Sequence, residues 1–127
     1  MASAYIVEDD PFFAESLAGL FTDLGVQPSA FHSVKKIENC LSGPAPDFLL
    51  VDLAIPIEGS KLIGKLESRG GTWAGVALLR HARAVWNSTH FALLTGRPTD
   101  EARQWCEDNS VEYLIKPVSR STLERLC

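Results

Sequence analysis

The sequence lacks the features that mark several protein classes. It has three cysteines, which are widely spaced and form no C-x-x-C pair, so it indicates neither a disulfide framework nor a zinc site. No apolar run approaches the roughly 18 residues that a transmembrane helix requires. The N-terminus turns acidic at Glu8 and does not have the pattern of a signal peptide. We therefore expect a cytoplasmic protein that does not enter a membrane.

Long runs of like charge are also missing. The chain carries 12 Lys and Arg against 16 Asp and Glu, a net charge of −4, and both signs occur in both halves of the sequence. This pattern argues against direct binding of nucleic acid and favours an acidic site or a protein partner. With 127 residues, of which 46% are hydrophobic, the chain has the length and composition of one domain, predicted to span residues 1–127.

Short apolar segments alternate with segments of helical periodicity. Asp10 precedes Pro11 as a helix cap, which we favour over a role in metal binding, and Ser33, Thr99 and either Ser119 or Ser121 are further caps. The strands are predicted at 4–7, 26–31, 48–51, 91–94 and 111–115, and the helices at 11–24, 34–41, 75–86, 100–109 and 122–127. This alternation predicts a three-layer α/β domain with a five-stranded parallel sheet.

Polar residues follow the long strands at the points where they end. They are Glu8 and Asp9 after the first strand, Asp52 after the third, Thr95 after the fourth and Lys116 after the fifth. Because parallel strands end at a common edge, these side chains are expected to meet there. Two carboxylates at close range repel by roughly 1 kcal/mol in water and by about 4 at an effective dielectric of 20, so a compensating cation is expected. Oxygen ligands without His or Cys favour Mg²⁺, and Asp52 beside Lys116 is suited to accept a phosphoryl group.

Four segments carry a resemblance to a known family. They are, in chain order, "YIVEDDPFFAESL", "PDFLLVDLAIP", "FALLTG" and "VEYLIKPVS". With these segments the chain resembles the CheY-like receiver domains of response regulators in bacterial two-component signalling, over nearly its whole length. The resemblance implies the flavodoxin-like (βα)5 receiver fold.

The resemblance also implies roles for individual residues. Asp52 would be the phosphoacceptor, and Lys116 and Thr95 would contact the phosphoryl oxygens. Tyr113 would act with Thr95 as the aromatic switch residue, and the peptide bond between Lys116 and Pro117 would be cis. The implied ligands of Mg²⁺ are Asp9, Asp52, the backbone carbonyl of Ala54 and, through water, Glu8.

A receiver domain is a signalling switch and not a turnover enzyme, since it catalyses only its own phosphorylation and dephosphorylation. The implied phosphodonor is a histidine kinase or a phosphotransfer protein. The implied downstream partner is an output protein, or an output domain beyond residue 127. The resemblance also admits a homodimer through the face of the fourth helix, fifth strand and fifth helix.

The sequence departs from the family pattern after Asp52. Gly75, which matches the glycine that opens the third helix, follows Asp52 by 23 residues, about fifteen more than is usual. We place an insertion at 57–73 and expect a lid or docking element that adds nothing to the core, with one or two helical turns after Ser60. The main alternative function is therefore a pseudo-receiver, an interaction module whose insertion covers the site.

Two further alternatives fit the sequence less well. A phosphohydrolase with an aspartate nucleophile normally needs a second aspartate two residues after it, where Ala54 stands. A flavodoxin-like binding module needs a phosphate loop rich in glycine and hydroxyl groups after the first strand, where "EDDPFF" stands.

Overall fold

The computed structural model describes all 127 residues, and strands alternate with α-helices along the chain. The strands are β1 (Ser3–Val7), β2 (Gln27–Phe31), β3 (Phe48–Asp52), β4 (His90–Thr95) and β5 (Glu112–Ile115). The helices are α1 (Pro11–Asp23), α2 (Val34–Glu38), α3 (Ala74–Val85), α4 (Asp100–Asp108) and α5 (Arg120–Leu126). Short 3-10 helices lie at Asn39–Ser42 and Arg69–Gly71. No helix has the length and apolar character needed to cross a bilayer.

The strands form one parallel sheet in the order β2-β1-β3-β4-β5. The central strand β3 is buried along its whole length, as expected of a parallel strand covered on both faces. Pro28 lies on the edge strand β2, where a missing backbone N–H is tolerated. The helices form two outer layers, α1 and α5 on one face of the sheet and α2, α3 and α4 on the other. The predicted fold class is confirmed.

The predicted caps account for where four of the five α-helices begin, whereas α3 starts without a side-chain cap. The Asp10 carboxylate accepts from the backbone N–H of Phe12 at 3.0 Å and from that of Phe13, so it works as the cap of α1. Ser33, Thr99 and Ser119 cap α2, α4 and α5 in the same way. Because each cap pairs backbone donors that the helix leaves free, the local sequence determines these boundaries.

The segment that joins β3 to α3, residues 53–73, differs from our expectation. It contains no α-helix after Ser60. Ile63 is 2% exposed and packs in the core with Val34 and Ile37 of α2, and Trp73 is also buried there. The expectation that this segment adds nothing to the core is therefore wrong. Sequence periodicity missed this contribution because Ile63 enters the core from irregular backbone.

Polar contacts fix the same segment against α2. The Glu38 carboxylate accepts from the Ser60 hydroxyl at 2.7 Å, from the Lys61 N–H at 3.1 Å and from the Leu62 N–H at 3.3 Å. At the other end of the helix, the Val34 N–H donates to the carbonyl of Pro56 at 3.1 Å. Both ends of α2 are thus held by residues 56–62.

Candidate functional site

The carboxyl ends of β1, β3, β4 and β5 meet at one edge of the sheet, as predicted. Asp52 is the last residue of β3, and the sheet register places it opposite Leu94 of β4. Glu8 and Asp9 directly follow β1, and each offers a carboxylate oxygen within 4.8 Å of the others and of one on Asp52. Glu8 is fully buried and Asp52 nearly so, whereas Asp9 is exposed. The three acids form one cluster that opens to solvent at Asp9.

Lys116 supplies the positive charge of this site. Its ammonium contacts the Glu8 carboxylate and lies 3.2 Å from Oδ1 of Asp52. It also lies 4.5 Å from the centre of the Phe13 ring. A cation over an aromatic face gains about 0.5–2 kcal/mol, so this ring helps to hold the ammonium in place. The sequence gives no sign of this contact, because spacing alone does not indicate a contact between residues about a hundred positions apart.

Burial determines the electrostatics of the acid cluster. Desolvation raises the pKa of Glu8 to about 7, against the opposing effect of its hydrogen bonds from Lys116 and from the backbone of Asp10. Desolvation likewise raises the pKa of Asp52, and the charge of Lys116 opposes it. One ammonium among three carboxylates leaves an excess of negative charge in a partly buried space. The residues therefore fit a hard divalent cation, which prefers oxygen ligands.

The other predicted site residues lie just after β3, at the end of β4 and in β5. Ala54 is exposed and borders, with Asp9 and residues 55–58 and 70–72, a cavity of about 280 Å³. Thr95 is 3% exposed, and its hydroxyl oxygen accepts from the Arg97 N–H at 3.0 Å. The Tyr113 hydroxyl accepts from the Thr99 N–H at 3.1 Å, so β5 contacts the cap of α4. The peptide bond between Lys116 and Pro117 is cis, as the resemblance implied.

Gly75 is required by the close approach of α3 to the end of strand β3. A Cβ at this position would overlap the carbonyl oxygen of Asp52 and come within 2.9 Å of Cα of Leu53. The Gly75 N–H donates to the Leu53 carbonyl at 2.8 Å, which holds the start of α3 against the residue that follows Asp52. The backbone at Asp52 therefore depends on the glycine at position 75.

Gly75→Ala is accordingly expected to destabilise the fold by about 1–3 kcal/mol, because α3 must shift away from Asp52. Urea unfolding measures the change. Gly64→Ala is the matched control, since a Cβ there would meet no atom within 4 Å. Equal stabilities of the two variants would contradict the proposed steric requirement.

Comparisons with known proteins agree on the fold. No family model matches the sequence. A response regulator receiver domain (CheY-like) from Methylobacillus flagellatus superposes with a TM-score of 0.73 at 27% identity, covering 99% of this chain and 95% of the other. A response regulator protein from Burkholderia pseudomallei, solved with a phosphorylated aspartic acid, a calcium ion and citrate, gives a TM-score of 0.77 at 16% identity, covering 98% and 65%.

One curated relative is similar in sequence. It is an uncharacterized response regulatory protein of Vibrio vulnificus, 25% identical over 99% of this chain. The chain spans about half of that protein's length, 48%. The resemblance deduced from the sequence motifs is confirmed by these proteins.

Proposed function

We propose that this chain, which has the fold of the CheY-like receiver domains of response regulators, is a phosphorylation-dependent signalling switch with Asp52 as its phosphoacceptor. The observation that carries the proposal is the placement of Asp52 at a strand end, in contact with Lys116 and beside the acids Glu8 and Asp9. The proposed donor is a histidine kinase or a phosphotransfer protein in the cytoplasm.

The chemistry is a direct transfer. An Oδ atom of Asp52 attacks phosphorus and forms an acyl phosphate, while the bond between phosphorus and the donor atom breaks and the donor keeps the electron pair. Lys116, already 3.2 Å from Asp52, pairs with the phosphoryl oxygens, and Thr95 donates its hydroxyl to one of them. Positioning and charge neutralisation dominate such transfers.

We assign the ligands of Mg²⁺ to Asp9, Asp52 and the carbonyl of Ala54, with Glu8 acting through water. The support for this assignment is the clustering of the three carboxylates and the exposure of Asp9 and Ala54 at the open side of the cluster. When bound, such an ion neutralises the negative charge of the acids and of the phosphoryl oxygens. The buried Glu8 holds Lys116 in place beside Asp52.

The switch that follows is proposed to involve Thr95 and Tyr113. A phosphoryl oxygen draws the Thr95 hydroxyl inward. The movement of Thr95 vacates space for the Tyr113 ring, and the hydrogen bond from the Thr99 N–H to the Tyr113 hydroxyl then breaks. The surface formed by α4, β5 and α5 changes as a result. This surface is the proposed contact for an output domain or protein, or for a second copy of the chain.

The pseudo-receiver alternative predicts a site covered by residues 57–73. Ser60 is hydrogen-bonded to Glu38 of α2, Ile63 and Trp73 lie in the core, and Asp9 stays exposed beside the cavity that residues 57, 58 and 70–72 border. No observation favours the alternative, and we do not propose it.

The function is tested by incubating the protein with acetyl phosphate and either Mg²⁺ or EDTA. Intact mass spectrometry should show one added phosphoryl group with Mg²⁺ and none with EDTA. An unlabelled protein in Mg²⁺, under conditions that label a known receiver domain, would overturn the proposal.

Removing one acid should weaken Mg²⁺ binding and relieve repulsion in its absence. Asp9→Ala is expected to raise the melting temperature in EDTA by a few degrees, which corresponds to about 1 kcal/mol, and to abolish most of the stabilisation by Mg²⁺. Differential scanning calorimetry with and without the ion checks both effects. An unchanged or lower melting temperature in EDTA would show that the acids do not repel one another appreciably.

A further inference from the structure

Arg69 joins the segment between β3 and α3 to helix α4. Its guanidinium donates from Nη1 to Oε1 of Glu101 at 2.9 Å and from Nη2 to Oε2 at 2.8 Å, a parallel pair of hydrogen bonds. The same group lies 4.4 Å from the ring centre of Trp73, which is 7% exposed. The guanidinium is therefore held on one side by a buried ring and on the other by the first turn of α4.

The backbone around Arg69 is fixed from within the segment. Arg69 has φ 50°, and Gly70 and Gly71 follow with φ 71° and 103°, all in the left-handed region. A residue with a side chain keeps such a φ only where its surroundings determine it. Ser68, fully buried, supplies this support: its hydroxyl donates to the Gly64 carbonyl at 2.8 Å, and its own carbonyl accepts from the Trp73 N–H at 2.8 Å.

The two ends of this connection lie next to the proposed site and next to its proposed switch. Residues 70–72, directly after Arg69, border the cavity that also includes Asp9 and Ala54. Glu101 lies in the first turn of α4, and the N–H of the α4 cap, Thr99, donates to the Tyr113 hydroxyl. The Arg69–Glu101 ion pair therefore joins the wall of this cavity to the first turn of α4.

We propose that Arg69 is a positioning residue that couples the first turn of α4 to the cavity wall beside Asp9 and Ala54. The proposal rests on the function proposed above. While the pair is intact, residues 70–72 hold the open side of the acid cluster in one geometry. A partner that displaces the first turn of α4 breaks this ion pair, releases residues 70–72 and thereby alters phosphorylation of Asp52.

The test compares Arg69→Gln, Glu101→Gln and the double variant with the parent. Hydrogen exchange, measured without any phosphodonor, should become faster at residues 70–72 in Glu101→Gln, although position 101 lies outside that stretch. In Arg69→Gln, Glu101→Gln and the double variant, labelling by acetyl phosphate at saturating Mg²⁺ should be about two- to five-fold slower than in the parent, which is the effect of losing one exposed ion pair. The double variant should be no slower than either single variant, since all three lack the same ion pair.

Two controls separate coupling from general effects of charge. Asp100→Asn removes the other acid in the first turn of α4, and Arg103→Gln breaks an ion pair internal to α4, with Glu107 at 2.8 Å. Both should leave exchange at 70–72 and the labelling rate unchanged. Exchange or labelling in Glu101→Gln that matches the parent would overturn the coupling. If the parent itself is not labelled, the proposed function fails, and the exchange comparison still decides whether Arg69 ties the wall to α4.

Discussion

Asp52→Asn is expected to abolish phosphorylation by acetyl phosphate. The substitution removes the attacking carboxylate oxygen and leaves an amide of nearly the same size, and an amide does not form an acyl phosphate under these conditions. The acid cluster loses one negative charge, so Lys116 keeps a single acidic partner, Glu8. The fold should persist, because removing a nearly buried carboxylate also removes the cost of its desolvation.

Asp10→Asn is the matched control for this prediction. It makes the same chemical change on the same edge of the sheet, and asparagine is as good a helix cap as aspartate, so α1 should be retained. The control should be labelled at the parent's rate. Undiminished labelling of Asp52→Asn would show that another acid is the acceptor.

Ile63→Ala is expected to destabilise the fold by about 2–5 kcal/mol, the range for truncating a buried aliphatic side chain. Ile63 is 2% exposed, in a cluster with Val34 and Ile37 of α2, and Ser60 and Glu38 hold its segment in place. Truncation removes apolar surface from the core and leaves a cavity, and both effects favour unfolding. Replacing residues 58–72 by a short linker should be at least as damaging, because it removes the same side chain.

Leu66→Ala serves as the control within the same segment. Leu66 is 95% exposed, so its truncation should change the free energy of unfolding by less than about 0.5 kcal/mol. Urea unfolding of the two variants measures the difference. Equal free energies of unfolding for Ile63→Ala and Leu66→Ala would show that Ile63 does not pack in the core with α2.

The regular elements could be predicted from the sequence because their determinants are local. Apolar runs such as 48–51 define buried strands, and caps such as Asp10 and Thr99 define where helices start. The convergence of Asp52 and Lys116 followed from topology, since parallel strands end at a common edge. These steps use neighbouring residues or one rule of chain geometry.

The segment of residues 53–73 could not be predicted in the same way. Its conformation depends on contacts with distant residues, such as Ser60 with Glu38 and Arg69 with Glu101, which no local pattern indicates. Four glycines at 59, 64, 70 and 71 are typical of a mobile loop, yet two of them only provide the left-handed turn after Arg69. Composition therefore pointed to a lid where the structure has a packed connection.

Chemical mapping of the modified residue tests most directly whether Asp52 carries the phosphoryl group. Borohydride reduces an aspartyl phosphate to homoserine, so the protein is incubated with Mg²⁺ and acetyl phosphate, reduced, digested and sequenced by mass spectrometry. We expect homoserine at position 52 and at no other aspartate, as the assignment of Asp52 requires. Homoserine at Asp9 or Asp10, with Asp52 intact, would contradict it.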